Sequence, residues 1–316
     1  MKYKIKNLEC YMIISRNKST ILKGLAILSV FISHYGILSQ VAATGVAVFL
    51  FLSGYGLEKS TSKNGLDSFW KKRIRSVYIP YWIVTITFTI LLALTSNFSL
   101  YDYIKYISII NFDSKIDPTM WYVTYLTLCY FIFYIINKHI KNNIPFAYLI
   151  SPFILLLVTQ PSFGSSYGVI LYFPYFFFGA LFARYSALIK KDIPSKAVFT
   201  LVILTILTMY FSITHVYTPT YFMSILLSTI TLILLPDKLF NKGFISSKML
   251  KIGNISYELY LIEGVMIMTI NGSLMKYIHE GYIRIPIIFI STIILSLILK
   301  KIIDSSIINK IKLNIN

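Results

Sequence analysis

Along this chain the apolar residues gather into long runs separated by short polar clusters. Ten such runs can be marked, at about 20–38, 41–57, 77–95, 120–136, 145–160, 169–185, 197–213, 216–235, 254–271 and 283–299. At roughly 15–20 residues each, they are long enough to cross a bilayer with some tilt or local thinning. The pattern predicts an all-α fold, a polytopic membrane helical bundle of about ten transmembrane helices. No large soluble segment is expected, because the longest intervening stretches are 58–76 and 96–119. Chemistry must therefore be built from the helices and those two loops.

Composition agrees: 56% of residues are hydrophobic, 13% are charged, and the mean hydropathy is +0.71, far too apolar for an ordinary soluble domain. A net charge of +18 would suit nucleic acid, but its distribution argues against that partner. With both termini cytoplasmic, only Lys105, Lys115, Lys276 and Arg284 of the 30 basic residues fall outside. The other 26 satisfy the positive-inside rule, which an odd number of spans would break. Residues 1–19 contain only a short apolar piece at 10–15, so they read as a basic cytoplasmic arm rather than a cleaved signal. The expected organisation is that arm, a membrane domain over 20–303 and a cytoplasmic tail over 304–316. Cys10 and Cys129 fall at opposite ends of this topology and have no metal-ligand or disulfide spacing, so no metal is expected.

Ionisable residues within spans are costly and usually face the bundle interior. His34, Glu258 and Glu263 are of this kind, with Lys23 and Glu58 at helix ends. Lys23 and His34 are eleven residues apart, almost three helical turns, so they share a face about 16 Å apart along the axis. Entry near residue 20 would place His34 roughly 20 Å deep. Ser256, Tyr260 and Glu263 share a face by their spacing of four and three. Glu263 is the deeper carboxylate, and Glu258 is expected near the solvated interface. Ser53, Gly54 and Gly56 permit close approach by a helix or ligand. The basic cluster Lys71–Lys72–Arg73–Arg75 leads to Pro80, where a helix boundary or kink is expected. Tyr101, Asp102, Tyr103, Tyr106, Phe112, Asp113 and Asp117 give the outer loop a composition suited to an interfacial belt or to sugar contact.

At these residues the chain resembles the acyltransferase-3 family of integral membrane acyltransferases. Leu22-Lys23-Gly24-Leu25-Ala26 through His34 is similar to the family's first-helix motif, an arginine followed eleven residues later by histidine. Gly45 through Tyr55 resembles the second-helix motif, Lys72-Arg73 through Pro80 the arginine-rich approach to the third, and Met120-Trp121-Tyr122 the tryptophan motif opening the fourth. Tyr175 through Gly179 and Ile255-Ser256-Tyr257 through Leu261 resemble later segments. Three positions depart from the pattern. Lys23 stands for arginine, keeping charge but losing the planar fork; Ser76 stands where a basic residue is common, with Arg75 displaced; and Glu263 stands where many relatives have histidine.

The resemblance implies transfer of an acyl group, often acetyl, from cytoplasmic acyl-CoA to a hydroxyl of an envelope or exported glycan or a lipid-linked sugar. It also implies a multi-pass cell-membrane protein, here expected in a bacterial cytoplasmic membrane and surrounded by membrane lipid. Arg73, Arg75 and Lys23 are then expected at the anionic end of acyl-CoA, with His34 as general base or acyl carrier. Glu263 is its expected proton partner, and Ser53, Tyr55, Tyr257 and Tyr260 are expected pocket donors. The competing reading is a proton-coupled carrier or flippase for an envelope precursor, using His34 and Glu263. A glycan polymerase would favour a larger, basic outer loop. The sequence leaves oligomeric state open.

Overall fold

Helices form throughout the residues described by the computed structural model, namely 14–34, 39–95, 98–110, 115–163, 171–186, 188, 193–213, 219–240, 243–270 and 281–305, with no strand among them. Ser15 sets the first boundary, because its hydroxyl accepts the Lys18 N–H at 3.2 Å and caps α1 (Arg16–Ser33). That helix begins before its apolar run and ends at His34, while 35–38 lie outside the described residues. It is followed by α2 (Ser39–Asn64), α3 (Phe69–Arg73), a π-helical turn (Ile74–Tyr78) and α4 (Ile79–Thr95). Rather than stopping at Pro80, this last stretch is helical from Phe69 onward, and the Ile79 N–H reaches back to the Ile74 carbonyl. A widened turn just before proline accommodates its missing donor and its bulky ring.

The chain continues through α5 (Leu100–Ile107), a 3₁₀ turn (Pro118–Met120), α6 (Trp121–His139), α7 (Ile144–Phe163), α8 (Tyr175–Tyr185), α9 (Ser195–Ser212) and α10 (Pro219–Leu234). A second 3₁₀ turn (Asp237–Phe240), α11 (Phe244–Asn254), α12 (Ser256–Met268) and α13 (Gly281–Ile303) complete it. Among the described residues, five helices are long and apolar enough to cross a membrane: Gln40–Asn64, Phe69–Leu94, Pro118–His139, Ser195–Ser212 and Ile283–Ile303. The apolar stretches Ile144–Thr159 and Pro219–Leu234 are shorter. The other expected spans differ in physical character: α1 contains Arg16, Lys18 and Lys23, α8 has 11 residues, and α12 has 13 with two glutamates.

The helices pack as two compact units. The first draws on Met1–Gly65, Ile135–Gln160 and Ser165–Asn254, the second on Leu66–Tyr134, Pro161–Gly164 and Ile255–Asn316. In the first, glycines mark the closest helix crossings. A Cβ on Gly54 would collide with the Phe176 carbonyl, and one on Gly179 with the Phe51 carbonyl, so α2 and α8 meet backbone to backbone. Gly24 meets Met249 and Gly253 meets Thr20 in the same manner, joining α1 to α11. Small residues in three of the resemblance motifs, Gly24, Gly54 and Gly179, thus serve packing directly. Gly54→Val is expected to lower the melting temperature of detergent-purified protein, at a cost at or above the ~1–3 kcal/mol of core overpacking because the obstacle is backbone. Gly56 has open space beside it, and Gly56→Val is the control expected to melt like wild type.

Lys18 ties the first unit together at another point. Its buried ammonium donates to the Ile233 and Leu235 carbonyls at 2.8 and 2.6 Å, pairs with Asp237 at 3.4 Å and lies over the Phe240 ring. It therefore meets the negative end of α10 and its unpaired carbonyls. Burial lowers its proton affinity from the ordinary lysine value, and Asp237 opposes that shift. In the second unit, Phe69 stacks on Phe133, and the Tyr78 hydroxyl donates to Thr127 Oγ1 at 3.1 Å. Across α12 and α13, Lys300 pairs with Glu258 at 3.3 Å.

Candidate functional site

In the first unit, α1 remains helical from Lys23 through Ser33 and His34 caps it in helical geometry, preserving the common face and the ~16 Å spacing. Lys23 is half-buried and His34 is exposed at the helix end. Ser53 is half-buried in α2, whereas Tyr55 is buried and its hydroxyl oxygen accepts the Ile14 N–H at 3.1 Å. Phe182 flanks both Phe51 and Tyr55, with ring centroids 5.6 and 6.1 Å away.

The first unit also contains a polar cluster that the sequence only hinted at. Glu58, 1% exposed, accepts Arg184 Nε–H on Oε1 at 2.8 Å and the Tyr148 hydroxyl on Oε2 at 2.7 Å. Asn137 Nδ2 donates to that same hydroxyl at 2.6 Å, and the neighbouring Lys59 ammonium donates to Ser186 Oγ at 2.7 Å. The buried carboxylate thereby binds α2, α6, α7 and α8. A glutamate at the end of an apolar run was the available signal, but its partners lie 90 and 126 residues away.

In the second unit, Arg73 ends α3 and Arg75 lies in the π-helical turn, both half-buried. The Arg73 guanidinium sits over Phe69 and Tyr130, 5.7 and 5.6 Å from their centroids. Its Nε is buried and makes no hydrogen bond among the described residues. Aromatic faces hold the planar cation, Tyr130 also takes a hydrogen bond from it, and the Nε–H is left for an anionic partner.

The first turns of α12 bring the remaining candidates onto backbone of the same unit. The Tyr257 hydroxyl donates to the Val77 carbonyl at 2.9 Å, and that of Tyr260 to the Thr119 carbonyl at 2.7 Å. Their rings stack at 6.2 Å. Each hydroxyl hydrogen is committed to main chain, which leaves chiefly an acceptor oxygen for any ligand. Glu263 is 1% exposed, consistent with its inward position by helical spacing. Glu258 departs from the expected solvated position: it is 6% exposed and depends on Lys300 for charge balance. Asp117, assigned to the outer loop by sequence, is fully buried. Its Oδ1 accepts the Thr119 N–H and hydroxyl at 2.9 and 2.6 Å, capping the turn into α6. A Cβ on Gly264 would stand on this carboxylate, so glycine lets α12 close over it. Phe112 and Asp113 lie outside the described residues.

The class defined by these features is a helical membrane protein with cations, an imidazole and buried carboxylates carried on apolar helices. The acyltransferase-3 family model, described as an acyltransferase domain, matches residues 17–301, and the chain belongs to that family. Its activity is accordingly that of a membrane acyltransferase. No curated protein and no solved structure matches the chain.

Proposed function

We propose that the protein transfers an acyl group, acetyl in the simplest case, from cytoplasmic acyl-CoA to a hydroxyl of a cell-envelope or exported glycan, or of a lipid-linked sugar. The carrying observation is Arg73, a half-buried cation held between aromatic rings with an unused buried N–H, at the family's arginine position. A guanidinium in this state suits a phosphate of the donor. Arg75 and Lys23 are assigned to the same anionic end.

His34 takes the proton of the acceptor hydroxyl as its oxygen attacks the thioester carbonyl. The carbon–sulfur bond breaks, the ester forms, and the proton passes to the CoA thiolate. In the alternative sequence, the imidazole first accepts the acyl group and then yields it to the hydroxyl. Glu263 is assigned to proton transfer and Ser53, Tyr55, Tyr257 and Tyr260 to the walls.

The proposed topology has ten spans in a bacterial cytoplasmic membrane, with both termini cytoplasmic. Three contacts support this alternation, each joining helix ends assigned to the same side: Glu58 with Tyr148 and Arg184, Lys18 with Leu235, and Glu258 with Lys300.

Arg73→Ala is expected to weaken acetyl-CoA binding by purified protein about 10–100-fold, the usual consequence of losing charged hydrogen bonds. Arg73→Lys should recover only part, because it restores charge without the fork. Isothermal titration checks this, and unchanged affinity in Arg73→Ala removes the assigned role.

A further inference from the structure

Positive charge is scarce on the side that the proposed topology places outside, and most of what is described there has a partner. The Lys105 ammonium lies over the Tyr101 ring, 5.7 Å from its centroid, and Lys115 pairs with Asp102 at 3.8 Å. Lys276 lies outside the described residues. Arg284 is different. It stands in the first turn of α13, half-buried, with its Nε buried and making no hydrogen bond among the described residues. The ion pairs of its own unit, Asp102 with Lys115 and Lys300 with Glu258 and Asp304, leave it out. Burying a charged N–H without an acceptor costs free energy, so such a group points to a partner that the described side chains do not supply.

Its depth narrows the chemistry of that partner. The apolar span of α13 is Ile283–Ile303, about 31 Å long at 1.5 Å per residue, which matches the hydrocarbon core of a bilayer. Arg284 is its second residue. Helical side chains lean toward the N-terminus, so the guanidinium reaches the level of lipid phosphates. The first turn of α13 contains no acidic residue, and the positive end of the helix dipole therefore adds to the guanidinium. A planar fork in that position suits a phosphate. The candidate donor site lies at the other end of the same unit. Tyr257 and Glu258 are neighbours, one bonded to the Val77 carbonyl and the other paired with Lys300, and Val77 is one helical turn from Arg73. Arg284 is about 24 Å along α13 from Lys300.

From Arg284 the inner row of α13 runs in steps of four through Ile288, Thr292 and Ser296, all three fully buried. The hydroxyls of Thr292 and Ser296 make no hydrogen bond among the described residues. A helical hydroxyl ordinarily has a carbonyl four residues back within reach, and Ser151, Thr159, Ser228 and Thr229, buried in other helices, all donate to theirs. A phospholipid headgroup would satisfy Arg284 alone. The two unmet hydroxyls, about 12 and 18 Å deeper along the axis, call for a ligand that is polar beyond its phosphate, as a sugar is.

We propose that Arg284 binds the phosphate of a lipid-linked glycan that serves as acceptor, with its sugar directed along α13 toward Thr292 and Ser296. The assignment rests on the acyl-transfer reading above and selects one of its acceptor classes. The two anionic substrates then hold separate cations at opposite ends of one unit, and the sugar hydroxyl and the thioester approach each other from the two ends.

Native mass spectrometry of the detergent-purified full-length protein tests the site, with a polyprenyl phosphate, the phosphate-free polyprenol and phosphatidylglycerol as probes. The polyprenyl phosphate is expected to bind Arg284→Gln at least tenfold more weakly than wild type and to regain part of its affinity in Arg284→Lys. The polyprenol should be indifferent to both changes. Arg284→Gln should melt no lower than wild type, because it removes a charge that no described side chain balances. Equal affinity of wild type and Arg284→Gln for the polyprenyl phosphate overturns the phosphate site. An equally large loss for phosphatidylglycerol overturns the glycan carrier in favour of bulk headgroups. In cells, Arg284→Gln and the double variant Thr292→Val/Ser296→Ala should each lower envelope-glycan acylation at least tenfold, with acetyl-CoA binding by the purified proteins unchanged. Full acylation in Arg284→Gln overturns the acceptor role, and full acylation in the double variant overturns the direction of the sugar. If wild type acylates no glycan, the acyl-transfer reading falls, while the phosphate affinities still decide whether Arg284 holds the lipid.

Discussion

His34→Ala should abolish envelope-glycan acylation while leaving the protein in the membrane at wild-type amounts. The residue ends α1 and is exposed, outside the helix's buried face, whereas the proposed chemistry needs a group that exchanges a proton near neutral pH. Loss of a general base costs about 10²–10⁴-fold in rate, which would take acylation below detection in a steady-state glycan profile. The comparison is mass spectrometry of glycans from wild-type, His34→Ala and null cells, with membrane protein measured alongside. Normal acylation at equal protein levels removes His34 from the mechanism. The same variant separates the two roles of the imidazole: with radiolabelled acetyl-CoA and no acceptor, covalent label on wild type that vanishes in His34→Ala marks an acyl carrier, whereas no label in either marks a base.

Glu58→Ala is expected to have the largest effect on stability. Removing the carboxylate leaves Arg184 without its ion-pair partner and deprives the buried Tyr148 hydroxyl of its acceptor, at an interface shared by four helices. Breaking a buried ion pair from one side costs about 3–5 kcal/mol; Arg184, 30% exposed, recovers some hydration and moves the expected cost toward the lower end. Glu58→Gln keeps an acceptor for Tyr148 but not the charge, and should fall between. Thermal unfolding in detergent reads the series, and equal midpoints for all three proteins would show that the cluster does not hold the helices.

Much of this protein was legible in the order of its residues because bilayer chemistry is severe. Apolar runs and asymmetrically placed lysines predict a helical membrane protein, since only a helix or closed barrel satisfies backbone there. Lys23, His34 and Glu263 could be singled out because polar side chains among apolar ones carry a visible cost, and Arg73 by its place in the resembling motif. Their partners were not legible. Glu58 appeared only as a helix end, and Asp117 read as part of the outer loop, because the groups that bury them come from elsewhere in the chain. Pro80 announced a boundary or a kink, and the π-helical turn that carries the helix up to it depends on how the surrounding backbone is accommodated.

The sequence by itself determined the helical class, the family and the eleven-residue interval from Lys23 to His34, because composition and local helix geometry suffice for each. Only the tertiary structure decided what Gly54 and Gly253 are for, which carboxylates are buried, and that the Tyr81 hydroxyl meets the carbonyls of Tyr106 and Ser108. Those depend on contacts between helices far apart in the chain, where a hydroxyl or missing Cβ acquires meaning from the backbone it meets.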